Sequence, residues 1–95
     1  MYLRVSRVHF DSAKYDEMLP LVQQVPGAVQ GLPGNQSVYI GMDRATGNGN
    51  VVSIWDTAEH ADFNRETAPK LGEIVRNIMT LGMQIDPPEI AELLT

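Results

Sequence analysis

The chain contains no cysteine, which excludes disulfide staples, thiolate nucleophiles and sulfur-ligated metals and leaves a reducing cytoplasm allowed. It has two histidines, His9 and His60. Further ligands at suitable spacing are lacking around them, so no metal is expected. Cations are scarce as well: seven Lys and Arg against twelve Asp and Glu give a formal charge of -5. The seven are scattered and form no stripe, so a phosphate backbone would be repelled, and neither nucleic acid nor an anionic membrane surface is an expected partner. No apolar run approaches the roughly 20 residues needed to cross a bilayer. Met1 to Phe10 carries Arg4 and Arg7 inside an alternating pattern, where a secretory signal would place an unbroken apolar stretch. A cytoplasmic location is expected.

What is present suits a folded domain. Apolar residues make up 43% of the 95 and charged residues 20%, ordinary globular usage, and the length matches a single domain over 1–95. Tyr2 to Phe10 is rich in β-branched and aromatic residues and reads as a strand ending at a polar Asp11-Ser12. From Ala13 a helix is expected, with Tyr15, Met18, Leu19 and Val22 along one face, a kink at Pro20 and a looser turn from Pro26 to Gly31. Ser37 to Asp43 and Val51 to Asp56 read as an antiparallel hairpin around Gly47-Asn48-Gly49. Asp56-Thr57 followed by Glu59 starts a short helix that carries Ala61 and Phe63 toward the core. Leu71, Ile74, Val75, Ile78 and Met79 mark a longer helix over Ala68 to Leu81, closed by Gly82. Met83 to Asp86 forms a fourth strand stopped by Pro87-Pro88, and Glu89 to Leu94 is expected as a turn or two of helix.

The order β-α-β-β-α-β is that of a ferredoxin-like α+β fold, with a four-stranded antiparallel sheet carrying both helices on one face. The third strand is apolar on both sides, with Val51 and Trp55 on one and Val52 and Ile54 on the other. A bare apolar sheet face is seldom left in water, so a homodimer with sheets packed face to face is expected. Ile90, Leu93 and Leu94 would then lay the segment Pro87 to Thr95 across the partner.

The stretch VVSIWDTAEHADF, residues 51–63, resembles the antibiotic biosynthesis monooxygenase-like family: strand, Trp, acidic residue, Thr, then a helix opening with Glu-His-Ala. The resemblance covers Tyr2 to about Pro88. It implies a dimeric α+β barrel with a pocket between sheet and helices, Trp55, Ser53 and Val51 on its wall, and cofactor-independent monooxygenation of aromatic molecules as one activity. Arg7 stands where heme-degrading relatives have a catalytic Asn, and Arg65 where they have the heme-ligating His, so heme binding is not expected. Val51 replaces the Asn that the aromatic-substrate monooxygenases carry four residues before the Trp.

Trp55 reads either as a core residue or as a wall stacking on a planar substrate. Arg7 and His9 share one strand face with Leu3 and Val5, and Arg4 and Ser6 share the opposite one. If the Leu3 face looks toward the helices, Arg7 and His9 enter the same cleft as Trp55, supplying an anion-holding cation and a group that titrates near neutrality. His60, in the first turn of its helix, is a second candidate base. Met42, Phe63 and the hydroxyl of Tyr39 are candidate substrate contacts. Two functions follow as expectations. One is a cofactor-free oxygenase acting on a small planar hydrophobic or phenolic molecule, with Trp55 holding the ring, Arg7 steadying negative charge and His9 or His60 as base. The other is a non-catalytic or stress-related dimer that binds a small hydrophobic ligand.

Overall fold

The computed structural model describes Met1 to Thr95. Its elements are β1 (Tyr2–His9), α1 (Tyr15–Val22), α2 (Val25–Gln30), β2 (Asn35–Asp43), β3 (Asn48–Trp55), α3 (Ala58–Ala61), α4 (Pro69–Thr80), β4 (Gln84–Ile85) and β5 (Glu89–Glu92). β1 lies inside the sheet, in the order β2-β3-β1-β4, with β5 also paired to β1. All pairings are antiparallel. This is the expected α+β arrangement with a fifth short strand.

That fifth strand replaces the terminal helix expected over Glu89 to Leu94. Pro87 and Pro88 donate no backbone hydrogen bond, yet beyond them the edge of β1 is still open. Glu89 to Glu92 closes it, pairing with Val5 to Tyr2 in a register one residue out of step with the Val8↔Ile85 pair. The segment therefore completes its own sheet, with Ile90 opposite Arg4 and packed against the core. A second difference lies at Pro26 to Gly31, where α2 stands in place of a loose turn. Pro26 occupies the first turn, where its missing N–H has no helical partner to lose, and Val25 and Val29 are buried at i, i+4 spacing. Pro20 sits within α1, which runs on to Val22.

Period-two alternation fixes what each sheet face carries. Inward, beneath the helices, β1 presents Tyr2, Arg4, Ser6 and Val8, whose cross-strand neighbours on β3 are Trp55, Ser53, Val51 and Gly49. Helix residues Met18, Val22, Val25, Val29, Leu71, Ile74 and Ile78 complete one core. Outward, Leu3 and Val5 oppose Ile54 and Val52, while Arg7 and His9 oppose Asn50 and Asn48. The outer face is thus apolar toward the start of β1 and polar toward its end.

The β2–β3 hairpin turns through Gly47, at φ +73. Its N–H donates to the Asp43 carbonyl at 2.9 Å, and its own carbonyl accepts from the Phe10 N–H at 2.8 Å. A Cβ there would fall 2.2 Å from the Phe10 carbonyl oxygen. Gly47→Ala is expected to cost at least about 1–2 kcal/mol, since a left-handed backbone and a backbone clash are imposed together. Urea unfolding midpoints of the two proteins check this.

Candidate functional site

A cavity of about 210 Å³ lies between the inner sheet face and the helices, with 14 of its 20 lining residues apolar. That volume exceeds the roughly 150 Å³ that admits benzene and falls short of the roughly 300 Å³ at which drug-sized pockets begin. It matches one or two fused rings. The polar lining consists of Arg4, Ser6, Ser53, Asn64 and Arg65. Of all the lining residues Asn64 and Arg65 alone are exposed, so the cavity reaches solvent there.

Arg4 is the most constrained of these groups. Its Nη1 donates to the carbonyl oxygens of Ala61 at 2.7 Å and Phe63 at 3.2 Å, and its guanidinium carbon lies 3.8 Å above the centre of the Phe63 ring. Burial pushes its pKa below the ordinary arginine value, and nearby Asp62 works in the opposite direction. The group stays charged at neutral pH. Arg65 lies on the loop after α3, where the Asn64 side chain accepts from the N–H groups of Glu66 and Thr67. Its stem rests against Gly72: a Cβ added there would be 3.4 Å from Arg65 Cγ.

The structure places the candidates from the sequence as follows. Val51, Ser53, Met42 and Phe63 line the cavity. Trp55 does not; it is 0% exposed at the end of β3, donating its indole N–H to Ser53 Oγ at 2.8 Å and packing 5.1 Å from the Phe63 ring. It backs two wall residues instead of touching a ligand. Arg7 and His9 do not share a cleft with Trp55, because the Leu3 face looks away from the helices and three-residue spacing puts Arg7 opposite to Arg4. Tyr39 is on that same outer face, 62% exposed. His60 is held at the sheet end by Asp56, Nδ1 to Oδ1 2.7 Å, a contact that holds the Asp56 carboxyl below its ordinary pKa. Neither histidine lines the cavity, nor does any carboxylate or lysine. No group of three or more His, Asp or Glu side chains is arranged to hold a metal ion, and no helix is long and apolar enough to cross a membrane.

Sequence reasoning missed Arg4 and Arg65 as cavity residues. No sequence signal singled out Arg65, which lies on a loop outside any periodic pattern.

Comparison with solved structures settles the fold. A protein from Deinococcus radiodurans, provisionally named an antibiotic biosynthesis monooxygenase, superposes with TM-score 0.80 at 12% identity over 100% of this chain and 94% of its own. HapK from Hahella chejuensis gives 0.77 at 18% identity, over 99% and 93%. Rv0793 from Mycobacterium tuberculosis gives 0.74 at 10%, over 100% and 97%. This chain has the antibiotic biosynthesis monooxygenase fold. No protein-family profile matches the sequence, and no curated protein is similar enough to match.

On the outer face, His9 Nδ1 meets Asn48 Oδ1 at 2.9 Å and Nε2 meets Asp86 Oδ2 at 3.2 Å. These hydrogen bonds, first from Asn48 and then from Asp86, raise its pKa above 6.5. Its stabilising contribution is then full below the unfolded value near 6.5 and is lost as pH rises through the higher folded value. The stability gained from about pH 8 to about pH 5 through this group is expected to vanish in His9→Gln, as read from urea midpoints of both proteins across that range.

Proposed function

We propose that the protein is a cofactor-independent oxygenase for a small planar molecule bearing a phenolic or enolic hydroxyl. The carrying observation is the apolar cavity with the Arg4 guanidinium in its wall. The names of the structural neighbours support the reaction class, and the 210 Å³ volume supports a one- or two-ring substrate. With no histidine, lysine or carboxylate in the lining, the hydroxyl proton leaves to water, and Arg4 stabilises the resulting oxyanion. The electron-rich ring then reduces dioxygen. One oxygen atom enters the ring as a quinone carbonyl and the other leaves as water. Arg4 takes the part expected of Arg7, and no side chain takes the part expected of His9 or His60.

The absence of a side-chain base favours a second reading, a carrier or scaffold that binds such a molecule without turning it over. Oxygen-electrode measurements with naphthol separate the two. Uptake above the buffer rate, falling about a hundredfold in Arg4→Leu and less in Arg4→Lys, is the expected result. Binding without uptake supports the carrier.

The reading includes a homodimer formed through the outer sheet face. Leu3, Val5, Val52 and Ile54 form an apolar patch there beside the exposed Tyr39, and a second copy would cover it. The chain, of 10.5 kDa, is expected to sediment at about twice that mass at micromolar concentration, and Val52→Glu to sediment as a monomer with unchanged far-ultraviolet circular dichroism.

A further inference from the structure

The acidic balance of this protein is reversed inside its cavity. Two of the seven cationic side chains line it, Arg4 and Arg65, and none of the twelve acidic ones does. Neither arginine takes part in an ion pair; the four in the molecule join His9 to Asp86, Lys14 to Glu17, Arg44 to Asp16 and His60 to Asp56. Arg4 spends only Nη1 on protein carbonyls, and the Arg65 side chain has no hydrogen-bond partner. Both guanidinium groups therefore keep N–H donors free for an anion, Arg4 in a half-buried setting and Arg65 on an exposed loop.

Position adds a direction. Arg65 is at the solvent-reaching end, beside the exposed Asn64, while the deep wall is made of Val8, Val29, Ile78 and Met83, all buried. A ligand with an apolar body and one charged end fits with its rings inward and its charge at the arginines. The Arg65 stem packs against Gly72, so the residue is anchored beside the cavity.

We infer that the cavity selects a planar one- or two-ring molecule carrying a carboxylate, with Arg65 as the specificity-determining residue for that group and Arg4 as its second cation. The inference rests on the ligand site proposed above and narrows its substrate class from phenols and enols in general to those that also carry a carboxylate. A carboxylate is the planar oxyanion that guanidinium groups match best, with two parallel N–H···O bonds.

The test compares naphthoate with its methyl ester and with naphthol, using quenching of the single tryptophan as the readout. Trp55 touches the wall residues Ser53 and Phe63 and reports on cavity occupancy without contacting the ligand. Naphthoate is expected to bind at least about tenfold more tightly than the ester, the size of one charge-assisted contact. The preference is expected to shrink with added salt and to fall by more than half in Arg65→Gln, a change on an exposed loop that leaves the circular dichroism unaltered. Charge reversal in Arg65→Glu is expected to abolish it. Equal binding of acid and ester, with naphthol also bound, overturns the carboxylate preference and leaves the ligand site standing. Preference for the acid that is undiminished in Arg65→Gln overturns the assignment to Arg65. No binding of any of the three overturns both the inference and the site.

Discussion

Arg4 faces inward on a strand whose other inward residues are uncharged, and enclosing a guanidinium without acceptors would cost several kcal/mol. The acceptors come from Ala61, the last residue of α3, and from Phe63 two residues beyond it. This helix makes barely more than one turn, Ala58–Ala61, so its last carbonyls have no helical donor. Arg4 supplies one to Ala61 and another to Phe63, ending the helix from across the sheet. The ring of Phe63 is thereby drawn under the guanidinium and against Trp55, whose indole N–H is satisfied by Ser53. Ser53 is the cross-strand partner of Arg4. The four side chains close a circuit, each fixed by the next, and three of them, Arg4, Ser53 and Phe63, line the cavity.

That circuit explains why the tryptophan is so deeply placed. A single Trp in a strand next to a ligand cavity is easily read as its wall. Here the indole needs an acceptor, the nearest being a hydroxyl two residues back on the same strand face. The contact turns the Ser53 hydroxyl toward Trp55 and turns Phe63, not Trp55, toward the open space. Trp55 sets the rigidity of the site, and the aromatic surface offered to a ligand is that of Phe63.

The order of the principal elements was legible because β-branched and aromatic runs such as Tyr2 to Phe10 give way to helical spacing such as Leu71, Ile74, Val75 and Ile78, with turn residues between. Face assignment was not, because β1 is ambiguous by composition. One face reads Leu3, Val5, Arg7, His9 and the other Tyr2, Arg4, Ser6, Val8, each with two large apolar residues and one arginine. Only packing with Val51, Ser53 and Trp55 decides between them. The strand at Glu89–Glu92 was illegible for a different reason: four residues of mixed polarity acquire extended form from an unfilled edge several dozen residues away. α2 was hidden by Pro26 and Gly27, which suggest a turn unless the proline falls in the first turn of a helix.

The charge distribution sets how a ligand is captured. At a net charge of -5 the molecule repels anions at long range, so steering cannot speed their approach. Within a Debye length, about 8 Å at physiological salt, the nearest charges dominate, and at the opening that charge is Arg65. Selection for an anion therefore acts after encounter, in how long the ligand stays. The half-buried Arg4 strengthens this, since its charge is less screened than one on the surface and its remaining donors are already oriented by the bonds to Ala61 and Phe63. An acidic exterior with a cationic interior rejects anions that lack an apolar body, because they gain too little from the cavity to offset the approach. It retains those whose rings fill the space lined by Val8, Val29 and Ile78.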